Sequence, residues 1–323
     1  MSLNRRRFLM GTTGAAMGLA LAPKASAAQA QDAPPQSGPK GPGMLKFSSQ
    51  LGVIPGKELP AKLATMERWG FEAVELPGDV VGKEKYYQDA LKNTHLKVSA
   101  ICFGSLGGAL VSELPERRQE AVETLKRVLT AAGELKSTGV IYVPAFNGQT
   151  KLGNQEIRAI LLDRLPEIGE HAVKVGSRLL LEPLNRAEAF FLRQLADAAA
   201  ICRDVNSPGI AMMGDFYHMY TEEPSNLGAF ISAGAFLHHV HMASAKTRVL
   251  PGQSTAMIEV KAHGQVRHVS EAELDAERYR DGFRGLKMIG YKDYCSFECG
   301  CRGQREVEIP KSMAFLRNQW EQA

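Results

Sequence analysis

The chain has 323 residues, 44% of them hydrophobic and 23% charged, a globular balance that excludes an intrinsically disordered or collagen-like protein. Its formal charge of +4 resides in the first 27 residues, which hold Arg5, Arg6, Arg7 and Lys24 and no acid; residues 28–323 are therefore neutral, without a basic excess for nucleic acid. Five cysteines without a C-x-x-C pair fit neither a small disulfide scaffold nor a zinc ribbon, so a hydrophobic core must carry the stability.

In chain order, the first element is a targeting segment. Arg5-Arg6-x-Phe8-Leu9 precedes an apolar, Gly- and Ala-rich run to about Ala22, followed by Lys24 and the small-x-small pattern Ala25-Ser26-Ala27. It resembles a twin-arginine export signal, with cleavage expected after Ala27 and a periplasmic address. The apolar run is short for the roughly 20 residues of a spanning helix, which disfavours a membrane anchor. Residues 28–43 read as a flexible linker.

From Met44 onward, eight short apolar or β-branched runs alternate with helical periodicity: 45–51, 71–76, 98–103, 140–143, 178–182, 210–215, 237–241 and 293–298. The segment from Pro115 has proline and acid in its first turn and apolar spacing to Leu135. Gly70, Gly139, Gly176 and Gly290 stand where left-handed helix terminators lead into the next strand. Eight such units over residues 44–323 predict a single α/β domain, a (β/α)8 TIM barrel. The alternative, a doubly wound sheet, lacks its G-x-G-x-x-G after the first strand.

Barrel chemistry gathers where strands end. The fifth strand ends in Glu182, the sixth in Asp215, the seventh in His241 and the eighth in Glu298. Three carboxylates and an imidazole converging at one mouth would repel without a cation, and the donor set suits one divalent ion: Mn²⁺ first, with Mg²⁺, Co²⁺ or Zn²⁺ as alternatives. Glu182 and Glu298, with two strands between them, are also placed to take a proton from one side of a bound carbon and return one to the other.

The patterns Glu182-x-x-Asn185-Arg186-x-Glu188 and Asp215-x-x-His218-Met219, with His239-Val-His241 and Ser296-Phe-Glu298, resemble the xylose isomerase-like barrel superfamily, most of all its ketose 3-epimerase and sugar phosphate isomerase/epimerase branch. The resemblance implies Glu182, Asp215, His241 and Glu298 as metal ligands, and Glu188 and His218 as substrate-binding residues. An arginine usual six residues after the ligand histidine is Thr247 here: either the loop is one residue longer and Arg248 takes over its substrate contact, or the substrate differs. The implied reaction is α-proton abstraction through a metal-stabilised enediolate on an unphosphorylated ketose or related carbohydrate. The alternative is a lyase or hydratase acting on a 3-keto-glycoside or inosose with the same ligands. A DNA endonuclease of the superfamily would need more strand-end histidines.

Strand alternation points His239 inward with His241, and His238 toward the helices. Glu75 and Lys246 are expected at the rim, and Phe103, Phe146, Phe190 and Phe216 as an apolar wall. Cys299 and Cys301 read as packing residues. Residues 248–268 form an unusually long loop, expected to cover the substrate or to meet a second subunit in a homo-oligomer.

Overall fold

A computed structural model describes residues 41–262 and 264–323. The export-signal-like segment 1–27 and the linker up to residue 40 lie outside the described residues. The eight expected strands are β1 (Lys46–Ser49), β2 (Ala73–Pro77), β3 (Lys97–Gly104), β4 (Val140–Tyr142), β5 (Leu179–Leu181), β6 (Ile210–Asp215), β7 (Leu237–Met242) and, last, β10 (Tyr294–Phe297). They pair in parallel in the order β1-β10-β7-β6-β5-β4-β3-β2. The ends of this order meet through a single parallel bridge, Gln50 with Glu75, and a hydrogen bond from Glu72 N–H to Phe47 O of 2.9 Å. The result is a nearly closed (β/α)8 barrel.

Helices α1 (Leu59–Trp69), α2 (Glu84–Leu91), α3 (Pro115–Glu134), α4 (Asn154–Val175), α5 (Leu195–Val205), α6 (Phe216–Glu222), α7 (Asn226–Ala233), α8 (Glu271–Met288) and α9 (Arg305–Glu321) surround it. Gly70 ends α1 at φ 81°, where its N–H returns to the Glu67 carbonyl and the following Phe71 N–H to the Met66 carbonyl. Gly176 and Gly290 also have positive φ. Gly139 does not follow the expectation: Lys136 holds the left-handed position after α3, at φ 53°. Gly139 is instead required by space, since a Cβ there would lie 2.7 Å from Leu180 Cγ. None of the described helices is long and apolar enough to cross a membrane.

Residues 248–268 are not without regular structure. Met257–Ala262 (β8) and Gln265–Ser270 (β9) pair as an antiparallel hairpin, with Ile258 opposite Val269. These two valine- and isoleucine-bearing positions bury against Ala245 and Leu274, because their alternation has period two, a signal that loop length alone obscures. Ser270 and Glu273 cap α8 reciprocally, Ser270 N–H donating to Glu273 Oε2 at 2.8 Å.

The connection before the hairpin is anchored by Asp275, fully buried, which accepts from Ala245 N–H at 3.0 Å and Gly252 N–H at 3.1 Å. Burial pushes this carboxyl up to about 7, against the pull of those amides and of Arg278. Because the folded value is raised above an unfolded aspartate's value of about 3.9, the folded chain keeps a proton that the unfolded chain has lost between the two. Stability is thus expected to fall as pH rises from about 4 to about 7. Asp275→Asn should flatten that slope while costing about 1–3 kcal/mol for a lost acceptor. Urea midpoints at pH 5 and pH 7.5 test this; an unchanged slope in the variant assigns the titration elsewhere.

The barrel interior is uneven. On the β3–β6 side it is apolar, filled by Ala100, Ile141, Leu180, Ala211 and Met213. On the β1, β2, β7 and β10 side it is polar: Ser48, Glu75, His239, His241 and Ser296 are all buried. A polar interior that tightly enclosed must be hydrogen-bonded or serve a ligand.

Candidate active site

The four strand-end donors meet. Glu182 continues the β5 ladder, its N–H donating to Tyr142 O at 3.0 Å, and Glu298 extends β10 by donating to Met242 O at 3.3 Å. His241 lies level with Asp215 on one side and Ser296 on the other. Asp215 is further fixed as the cap of α6, accepting from Tyr217 N–H at 2.8 Å. One ligand atom from each of Glu182, Asp215, His241 and Glu298 lies within 4.8 Å of the others.

His241 Nδ1 faces Glu298 Oε2 at 3.1 Å and Glu182 Oε1 at 3.7 Å. That nitrogen is buried without a hydrogen-bond partner, while Nε2 lies 3.0 Å from Glu75 Oε2. With Nε2–H given to Glu75, the Nδ1 lone pair is directed at the carboxylates, the arrangement expected of a metal-binding histidine. Burial lowers the imidazole's proton affinity, yet Glu75 and Glu298 hold it well above the ordinary histidine range. The same negative field favours a cation at this point. Hard oxygen donors plus one buried, unpartnered nitrogen fit a divalent ion.

Each carboxylate sits in a different field. Burial pushes Glu182 up, with His241 pulling the other way. Burial also acts upward on Glu298, but His241 and Arg248 outweigh it and hold the group at about 2. The Arg248 guanidinium lies 2.5 Å from Glu298 Oε2, 3.5 Å from Asp215 Oδ2 and 3.8 Å from Glu188 Oε1, and rests over the Tyr217 ring at 4.5 Å. To reach there, Arg248 adopts φ 50°, a left-handed conformation uncommon for a residue with a Cβ. Thr247 turns away, its hydroxyl donating to Glu271 Oε2 at 3.0 Å and its N–H to Glu271 Oε1 at 2.9 Å. The one-residue displacement of the arginine is therefore absorbed by the backbone, and Arg248 enters the site.

His218 stands beside the cluster, its Nε2 3.4 Å from Asp215 Oδ2. Its Nδ1 accepts from the Asn185 side-chain amide at 2.7 Å, and the same amide lies 3.0 Å from Glu188 Oε1. Asn185 and Arg186 had no assigned role in the sequence reading, although both lie in its Glu182-to-Glu188 pattern. Arg186 clamps Glu222 at 2.8 and 3.0 Å, which ties the loop after β5 to α6.

Several expectations change. Glu75 is not at the rim but buried beneath the cluster, 1% exposed. Burial pushes its carboxyl up, but His241 and His239 more than reverse this and hold it well below the usual range. His239 does point inward, bonding Glu75 Oε2 at 2.9 Å, and His238 faces outward, 2.7 Å from Asp293. Phe216 is core, packed on Phe230, Tyr279 and Phe283, and not a wall of the site. Lys246, exposed in the segment after β7, keeps a place consistent with the rim, and its backbone N–H donates to Glu271 Oε1 at 2.6 Å. Cys299 packs against the core as expected.

Gln50, just past β1, is the residue that sequence reading missed. Its amide donates to Glu75 Oε1 at 2.9 Å and to Glu298 Oε1 at 3.0 Å. A cavity of about 300 Å³ opens beside it, lined by Gln50, Glu75, Pro77 and Cys102 among others. The only sequence signal was its place at a strand end, shared with many solvated loop residues.

Residues 63–319 match the family described as xylose isomerase-like TIM barrel. The 3-dehydro-D-guloside 4-epimerase of Escherichia coli (strain K12) is 27% identical over 267 residues, 75% of this chain and 99% of that protein. A probable ketose 3-epimerase of Synechocystis sp. is 24% identical over 203 residues, 58% of this chain and 67% of that protein. The solved 3-keto-D-glucoside 4-epimerase from E. coli shares the fold with a TM-score of 0.70 at 24% identity, covering 85% of this chain and 100% of that one.

Proposed function

Because the chain belongs to the xylose isomerase-like TIM barrel family, we propose that it is a divalent-metal-dependent sugar isomerase or epimerase acting on an unphosphorylated carbohydrate. The observation that carries this reading is the gathering of Glu182, Asp215 and Glu298 around the unpartnered Nδ1 of His241. These four residues would hold the ion, with Mn²⁺ the best match to an oxygen-rich set. An ion held there would withdraw electrons from a substrate carbonyl and acidify the neighbouring C–H.

The protein's own groups do the rest. Glu182 and Glu298 approach from separate strands, so one carboxylate removes the α-proton and the other returns a proton to the opposite face, each role contributing about 10² to 10⁴ in rate. Glu188, His218 and Arg248 hold substrate oxygens: Arg248 as a guanidinium fixed over Tyr217, His218 by its Nε2–H while Asn185 occupies Nδ1. The E. coli relative matched over 99% of its length is named for a 3-dehydro-guloside, which supports a 3-oxo-glycoside as substrate beside free ketoses.

The test is incubation of the Mn²⁺-loaded protein with ketoses and 3-oxo-glycosides in D₂O. Deuterium entering the carbon next to the carbonyl, with an epimer formed, is the expected result. Release of the aglycone would make the protein a lyase, and no exchange with any substrate would refute proton abstraction altogether.

The Arg5-Arg6-x-Phe8-Leu9 pattern supports export by the twin-arginine route to the periplasm. Replacing both arginines by lysine (Arg5→Lys, Arg6→Lys) keeps the charge but removes the guanidinium pair. Cell fractionation should then find the protein in the cytoplasm; unchanged periplasmic recovery would reject the route.

A further inference from the structure

We propose that Glu75 is a positioning residue whose buried carboxylate fixes two of the four metal-site donors at once, His241 directly and Glu298 through Gln50. The inference rests on the metal-site reading above and concerns residues that lie outside the donor set. Glu75 lies in the middle of β2, directly after a register shift between Val74 and Glu75, and its side chain is buried in the barrel beneath the mouth. There it receives three donors. Gln50 Nε2 lies 2.9 Å from Oε1, His239 Nε2 lies 2.9 Å from Oε2, and His241 Nε2 lies 3.1 and 3.0 Å from the two oxygens.

Two consequences follow from donor chemistry. An ionised carboxylate only accepts, so His241 must present N–H at Nε2, which leaves Nδ1 as the lone-pair nitrogen on the side of Glu182 and Glu298. The Gln50 amide has two hydrogens, and both are engaged: one by Glu75 Oε1, the other by Glu298 Oε1 at 3.0 Å. With Oε1 so held, Glu298 Oε2 is the oxygen turned toward His241 Nδ1, at 3.1 Å. His239 is the remaining brace, and its ring stands nearly perpendicular to that of His241, 84° apart with centroids 5.1 Å apart. Because Glu75, His239 and His241 are fully buried, their orientations are set by one another, and a wrong rotamer at Glu75 would be passed to both donors.

The rival reading makes Glu75, His239 and His241 a second cation site, since their ligand atoms also lie within 4.8 Å of one another. It would require His241 to bind ions through both nitrogens, and its oxygen-to-nitrogen separations of 2.9 to 3.1 Å are already those of hydrogen bonds.

The experiment measures Mn²⁺ affinity and stoichiometry on the full-length protein by equilibrium dialysis and by the electron paramagnetic resonance signal of unbound Mn²⁺. Glu75→Gln keeps the volume but replaces one acceptor by an N–H₂ that opposes an imidazole N–H. The expected result is about 10- to 100-fold weaker Mn²⁺ binding with one ion per chain in the wild type. Gln50→Met, which removes the amide that links Glu75 to Glu298 and leaves both histidine contacts of Glu75 in place, should weaken binding by about fivefold. His239→Gln, which preserves a donor toward Glu75, should restore near-wild-type affinity where His239→Phe does not. If Glu75→Gln does not fold, the Gln50 and His239 variants decide the matter alone. Wild-type affinity in all of the folded variants would overturn the proposal while leaving the metal site standing, as would two ions per chain, which would make Glu75 a ligand. A wild-type protein that binds no Mn²⁺ fails the functional reading itself.

Discussion

Glu298→Gln and Glu182→Gln are each expected to lower kcat/KM by about 10³-fold or more, and to abolish deuterium exchange into substrate, while the fold survives. An amide has nearly the volume of the carboxyl it replaces, so packing changes little, but it neither accepts a proton from carbon nor carries the negative charge that a cation requires. At Glu298 the change also takes from Arg248 its nearest carboxylate, 2.5 Å away, and leaves it Asp215 at 3.5 Å and Glu188 at 3.8 Å. At Glu182, 7% exposed, a carboxyl that burial already pushes up is replaced by a neutral group, so folding should be the less affected of the two. Steady-state rates, proton exchange followed by mass spectrometry and thermal melts on both variants settle it. Activity within tenfold of wild type in either one removes that residue from the proton-transfer pair.

The second large effect is on stability. Wild-type protein at a Mn²⁺ concentration 100 times its dissociation constant gains about 2.7 kcal/mol from binding alone, enough to raise Tm by about 5 °C in a domain of this size. EDTA should reverse the shift. His241→Ala should abolish it, because that change removes the one nitrogen donor and leaves Glu75 without the imidazole that it faces at 3.0 Å. A shift that persists in His241→Ala would place the ion elsewhere and separate the strand-end cluster from metal binding.

The fold was legible because a βα rhythm repeats eight times, and each repeat carries its own period change and punctuation; every observed strand overlaps its expected segment, with β2 and β7 running one residue past one end of it and β3 one residue past both. The donor cluster was legible for the same reason, since strand ends fix where side chains converge: Glu182, Asp215, His241 and Glu298 are brought within 4.8 Å. What escaped was whatever depends on pairs from distant elements. Gln50 and Glu75 are 25 residues apart, and Gln50 and Glu298 are 248 apart; nothing local distinguishes a strand-end glutamine that bridges two carboxylates from one that faces water. Phe216 was misjudged because its strand-end position said nothing of Tyr279, whose ring centroid packs 4.3 Å away from α8. The hairpin of residues 257–270 was hidden by attention to loop length, although its alternating residues were there to be read.

The barrel's weakest hoop joint carries a further consequence. Strands β1 and β2 are held together at the mouth by the Gln50–Glu75 backbone bridge, and the side chains of those same two residues are bonded at 2.9 Å. Elsewhere around the ring, neighbouring strands share longer ladders that would tolerate the loss of one rung. The clasp and the cradle are thus one piece: local opening at this joint would release the brace on His241 and Glu298 together. A change that loosens the ring there, even one far from any reacting atom, would be felt first as a slackened grip on the ion and only later as unfolding.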